Sequence, residues 1–404
     1  HQYRVVMVDE RGTRIRSAPR RFTPKRIKHA IRIPGDFSGP PYVLEDSNAY
    51  YLLEKDIHAN DTAILIRADD ITLDLGAHEV TYNNRTVSPT GGWLQYIKES
   101  GFGIRSEGGR GLTIVNGRIR QGIGNGAGHR SESIGFNPVF LGEASHLDIA
   151  GLTLEYSGAQ LAGLVALYPS GFNSVHHNVF VDRGTILTNR HGVGSKSMAI
   201  HGEVSTFHTH HNLVKRTRQS ALDGARINDN EIYIDSHATN SFGIPGLQND
   251  REAFGNRIFG TGYHVVGMGW GRNNWWHHNF IHLVGQGPSP RSPEYGDQES
   301  LNGIRLTQYD GAEVDYSDSI VEDNVIVISG GGCDDNGRCT IARGLQWASD
   351  PHVKDNVIRN NTIKVVMSDD VSVAAALVTQ GMIDRCGTEA PVLYTGNRLI
   401  SNIT

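Results

Sequence analysis

The chain has no apolar run of about 18 residues, so no segment reads as a membrane-spanning helix. It has no unbroken basic run. Its 38 Lys and Arg stand against 43 Asp and Glu, a formal net charge of -5, so nucleic acid is not expected as a partner. Cysteine is scarce, with 3 in 404 residues. Cys333 and Cys339 bracket a short polar loop, a spacing that suits a local disulfide, and Cys386 is left over. That one pair favours a secreted or periplasmic location. The first residue is His1 and no signal peptide follows, as expected of a mature or trimmed chain.

What the chain has in quantity is glycine, 48 residues, and a recurring pattern. Taking Ile200 as an anchor, equivalent aliphatic positions fall at Ile104, Val139, Leu164, Leu222, Ile244, Val266, Ile304, Leu345 and Leu377. A small residue usually precedes the anchor, as at Gly103, Gly163, Ala199, Ala221, Gly243, Gly303 and Gly344. The anchors 200, 222, 244 and 266 are spaced by 22 residues, a period that signals a repeat architecture. A second column follows, with Asn178, Asn212, Asn230, Asn256, Asn279, Asn324, Asn356 and Asn397 each beside a short β-type run. Asparagine tolerates left-handed backbone and bonds neighbouring main chain, so each unit reads as two or three short strands with sharp turns. One such unit cannot bury its inner face, whereas a stack can.

These columns resemble the right-handed parallel β-helix of pectate-lyase-like proteins over roughly residues 45–404. The expected fold is all-β, a right-handed parallel β-helix solenoid of about ten or more coils with loop excursions and few helices. The helical domain is placed at 31–404, with an N-terminal hairpin or arm at 1–30 whose Asp9 to Gly12 turn resembles the end of a fibronectin type III module. The resemblance implies carbohydrate chemistry but no single activity, since the fold hosts lyases, hydrolases, esterases and epimerases.

Strand side chains alternate between faces. With the anchors inward, the outward line is Arg105, Phe140, Val165, His201, Asp223, Pro245, Gly267, Arg305, Gln346 and Val378, and a second line holds Glu203 and Thr307. The small column before the anchors is expected to face outward as the floor of a trench, a shape suited to a polymer. His201, Glu203 and Asp223 are the catalytic candidates. Glu203 and Asp223, one coil across and two residues along, would bring carboxyls about 6.5–9.5 Å apart, the gap an inverting glycosidase needs. Arg305, Thr307 and Gln346 on the same face, with Arg226, Arg272, Trp270 and Lys196 from turns and the loop 189–196, are the substrate-binding candidates. The paired histidines before the Asn column (His176, His177, His210, His211, His277, His278) read as stacking within the solenoid, and His208 with His210 offers no carboxylate at metal-ligand spacing.

The first functional reading is therefore an inverting glycoside hydrolase acting on an anionic polysaccharide, uronate-containing or sulfated. The second is a polysaccharide lyase or C5-epimerase with His201 as base and Arg305 or Arg226 neutralising the carboxylate. β-Helix lyases commonly use a Lys or Arg base, often with calcium. This outward face offers no Lys, so calcium is only admitted and no cofactor is required. The signature of mannuronan epimerases is missing apart from Asp350-Pro351-His352, and so are those of polygalacturonases. A non-catalytic carbohydrate-binding solenoid is the third reading.

Overall fold

The computed structural model describes residues 29–84, 101–122, 139–142, 144–156, 164–167, 170–183, 200–202, 207–217, 221–236, 241–245, 250–262, 264–269, 271–286, 300–306, 318–333, 335, 340–348, 355–367, 373–380 and 393–401, with strand pieces at 2–3, 6–8, 14–16 and 20–21. The chain is a right-handed parallel β-helix, and no helix occurs among the described residues. The N-terminal pieces form nested antiparallel pairs, Gln2–Tyr3 with Arg20–Arg21 and Val6–Val8 with Arg14–Arg16. The solenoid begins at Ile31–Ile33.

Two of its faces join in one 23-stranded sheet. The third face carries two sheets in line. The first has six strands, from Tyr42–Leu44 to Ile200–Gly202. The second has five: Ser241–Pro245, His264–Gly269, Ser300–Leu306, Ile341–Ala348 and Val373–Gln380. Between them Ala221 and Leu222 donate their N–H groups to Phe242 and Gly243 carbonyls at 2.9 and 3.2 Å, so the stack is continuous there.

The anchor column holds, with one shift. Ile104, Val139, Leu164 and Ile200 pair in register, and Ile244, Met268, Ile304, Leu345 and Leu377 continue it. Met268 replaces the expected Val266, because this coil runs 24 residues from position 244 to 268 rather than 22. Turn length varies between coils, so a fixed period drifts out of register while the small-then-aliphatic pair, here Gly267-Met268, does not.

The glycines of that column point the other way from expectation. A Cβ on Gly243 would lie 2.7 Å from Ile258 Cγ2, and one on Gly267 2.6 Å from Ile281 Cγ2. They face the stacked isoleucines of the core and form no trench floor. At Gly243, Gly267 and Gly303 strict alternation breaks, so that the glycine and the following aliphatic residue both turn inward. Gly267→Ala is expected to destabilise the protein by about 1–3 kcal/mol, because its methyl would also meet Gly303 O at 2.5 Å. The shift of the urea midpoint relative to wild type measures it.

The Asn column is a continuous buried ladder. Asn178, Asn212, Asn230, Asn256, Asn279, Asn324, Asn361 and Asn397 each pass Oδ1 to the backbone N–H of the preceding rung, with Leu152 as the first donor. The residue before each Asn from Asn178 on is left-handed, with φ of 54° at His177, His211, Asp229, His278 and Asp323, 56° at Asn360, 64° at Gly396 and 65° at Gly255. Asn and Gly dominate left-handed positions, yet here histidine and aspartate hold them too. Asn361 takes the rung expected of Asn356. Asn356 instead accepts the Ser319 N–H at 2.8 Å in a second, shorter ladder at another corner, where Asn274 accepts the N–H of Arg251.

Candidate functional site

The paired histidines stack as the repeat implies. His176 lies over His210 with ring centroids 4.9 Å apart and 8° between planes, and His177 over His211 at 5.0 Å and 7°. Burial first, then the charges of His208, His176, His211 and His177, push the His210 imidazole down to about 4 from 6.5. A native state that refuses this proton is favoured above pH 6.5, and the benefit is lost as pH falls through about 4. The stability gap between wild type and His210→Gln is therefore expected to narrow on acidification from neutrality to about pH 4, read from thermal midpoints. Among the described residues no group of three or more His, Cys, Asp or Glu side chains is arranged to hold a metal ion.

Asp223 does not stand on an open face. Its carboxylate receives Arg251 Nη1 at 2.8 Å, and the two side chains are 3% and 2% exposed. The cause is local: only Gly224 and Ala225 separate Asp223 from the next strand at Arg226–Asn228. Arg251 enters the same corner from the following coil, held by the Asn274 bond. A carboxylate enclosed against a buried guanidinium does not reach a glycosidic oxygen or a water in a trench. The expected acid pair fails on this half. Glu203, the other half, lies outside the described residues, as do Lys196, Trp270 and Thr307. His201 is placed only by its backbone, in register with Val165.

The remaining binding candidates separate. Arg226 lies on the neighbouring face, exposed, paired to Glu252 at 3.0 Å and stacked over Phe254 at 5.1 Å. Arg272 is exposed in a turn of the chain and its carbonyl accepts the Asp250 N–H at 3.1 Å. Arg305 and Gln346 do come together, as lateral partners on adjacent strands of the five-stranded sheet.

Around those two residues the outward side of the sheet is polar and enclosed. Leu301, Ile304, Leu306 and Leu345 belong to the core, so alternation turns Ser300, Asn302, Arg305 and Gln346 outward. Asn302 pairs in register with Arg343. Arg343 Nη1 donates to Ser300 Oγ at 3.3 Å and Asn302 Nδ2 to the same oxygen at 2.8 Å. Burial, and next the charge of Arg305, hold the Arg343 guanidinium below its ordinary value. Arg343 Nε and Asn302 Oδ1 are buried with no hydrogen-bond partner among the described residues. Phe242 and Val266, also buried but outside the core cluster, continue the patch over two earlier strands.

Arg305 and Arg343 stand on adjacent strands, and guanidinium groups are chemically suited to holding a carboxylate or sulfate in a fork. Plain alternation from the anchors places Arg343 and Asn302 inward, so the sequence alone does not single them out. The break at the glycine flips the parity of the residue two before each anchor.

His201 and this cluster are too far apart to act on one ring. Four coil steps separate His201 from Arg305, roughly 19 Å at about 4.8 Å per step. Comparison of the chain with protein-family models, with curated proteins and with solved structures finds no match.

Proposed function

We propose that the chain is a carbohydrate-active enzyme that binds an anionic polysaccharide along the outer side of the five-stranded sheet and abstracts a proton beside its carboxylate, as a lyase or epimerase does. The observation that carries this reading is the Arg305–Arg343 pair over enclosed Ser300, Asn302 and Gln346. Neutralising a uronate carboxylate acidifies the neighbouring C–H, which is half of that chemistry. Hydrolysis by a Glu203–Asp223 pair is not retained, since Asp223 is locked to Arg251. His264 stands at the register position beside Ser300. The disulfide at Cys333 supports a secreted or periplasmic setting. No metal is required by this reading.

The test is incubation with uronate-containing and sulfated polysaccharides, reading ultraviolet absorbance of the new conjugated double bond, C5 inversion and reducing ends separately. Arg343→Ala is expected to lower kcat/KM on the responsive uronate polymer by about 10–100-fold, the loss of one charge-assisted fork, at an unchanged melting temperature. Reducing ends without double bonds or inversion would return the choice to hydrolysis. Binding without turnover of any polymer would favour a sugar-binding solenoid. That second reading draws on the absence of a carboxylate among the described outward residues of this sheet.

A further inference from the structure

A separate cavity of about 500 Å³ lies at the edge of the early coils. It is built by the ends of the strands Ile57–His58, Glu79–Tyr82, Thr113–Gln121, Asp148–Tyr156 and Val179–Asp182, five rungs of one continuous sheet. Its floor is buried and polar: Thr81, Gln121, Glu155 and Tyr156. Its rim is exposed and basic, with Arg120, Arg183 and His58.

The charges do not cancel across the lining. Glu155 is the single carboxylate there, facing two arginines. It is already shared, with Arg183 Nε at 2.6 Å and Arg118 Nη2 at 2.6 Å. Burial alone would raise its pKa, but the bonds from Arg183 and Arg118 outweigh that and hold it below the usual carboxylate range, so it does not serve as a proton donor to a ligand. Arg120 contacts Glu79 through Nε at 3.5 Å. Both rim arginines thus make their ion pairs through Nε, leaving the forked terminal amino groups for an incoming anion. The floor adds hydroxyl and amide groups that both donate and accept. A pocket of this volume is in the range of small-molecule sites.

We propose that this cavity is a binding site for a small polyhydroxylated carboxylate, such as one uronic acid unit, its carboxylate between Arg120 and Arg183 and its hydroxyls on Thr81, Gln121 and Glu155. The site lies on different coils from Arg305 and Arg343 and stands whether or not the outer sheet is catalytic. The walls are strand ends locked into the 23-stranded sheet, so the pocket is preformed and binding orders little of the protein.

Titration calorimetry of the full chain with galacturonate, gluconate, glucose and acetate tests it. Galacturonate or gluconate is expected to bind, while glucose, lacking the charge, and acetate, lacking the hydroxyls, bind at least about tenfold more weakly. Arg120→Ala/Arg183→Ala is expected to lose at least about tenfold in affinity. Glu155 keeps Arg118 in that variant, and a circular-dichroism melt confirms folding. Arg120→Lys should retain part of the affinity. The same titration on Arg343→Ala separates the two sites. Binding that survives in Arg120→Ala/Arg183→Ala but disappears in Arg343→Ala overturns the proposal, and so does equal affinity for glucose or no heat with either sugar acid.

Discussion

Asp223→Asn is expected to destabilise the protein by about 3–5 kcal/mol, the cost of stranding a buried charge when one partner of an enclosed ion pair is removed. The substitution keeps the shape and removes only the charge, so Arg251, with a side chain 2% exposed, loses the Asp223 carboxylate while staying out of water. Arg251→Met should cost a comparable amount, since it removes the buried guanidinium that faces the carboxylate in the same corner. The double variant Asp223→Asn/Arg251→Met should be far less damaged than the two losses added together, because neither charge remains to be desolvated. Urea unfolding of the four proteins in this cycle measures the coupling directly. A catalytic role makes the opposite forecast: Asp223→Asn would melt with wild type and lose turnover. An unshifted midpoint with abolished activity would restore Asp223 to the reaction and remove it from the frame of the corner.

Asn279→Ala should cost about 2–6 kcal/mol, at about 1–3 kcal/mol for each buried group left unsatisfied. The amide of Asn279 makes four bonds: Nδ2 donates to Ala253 O at 2.8 Å and to Asn324 Oδ1 at 3.0 Å, and Oδ1 accepts from Asn256 N at 3.1 Å and Asn256 Nδ2 at 3.0 Å. Truncation leaves the Asn256 N–H and the Ala253 carbonyl without these partners in the middle of the stack. Asn397→Ala removes an equivalent set from the last rung, where Asn397 is half-buried. Water replaces the lost bonds there, so the loss should be about 1 kcal/mol. Equal losses at the two positions would show that the ladder acts through the intrinsic turn preference of asparagine and not through burial. Thermal midpoints of the two variants distinguish these outcomes.

Much of the fold was written in the local pattern. The aliphatic anchors, the Asn column and the doubled histidines are each set by one coil and repeated, so reading any coil reads the next. The register slipped only where the repeat length changed, at Met268, and where two asparagines competed for one column, at Asn356 and Asn361. A residue's column depends on how many residues the preceding turn absorbs, and neither glycine nor asparagine in the sequence says which of two adjacent corners it occupies.

The site was less legible for a different reason. Plain alternation after the anchor places Arg305 and Gln346 side by side, as the register has them. It does not turn Arg343 and Asn302 outward, because the break at the glycine reverses the face of everything before it, and that break comes from packing against Ile258, Ile281 and Ile326 on another strand of the coil. Asp223 was assigned outward by the same alternation, and the strand it was counted on turns into a corner at Gly224.

The sequence by itself determined that the chain winds into a stack of parallel strands with a hydrogen-bonded amide ladder and an aliphatic core, because those features follow from short-range periodicity and the chemistry of single residue types. Only the tertiary structure decided that Asp223 is a buried ion partner, that two arginines and their amide neighbours share one enclosed surface, and that a basic-rimmed cavity opens at the early coils. Each of those depends on which side chain of the next coil arrives at a given corner, and that is fixed by turn lengths and burial, which no single repeat contains.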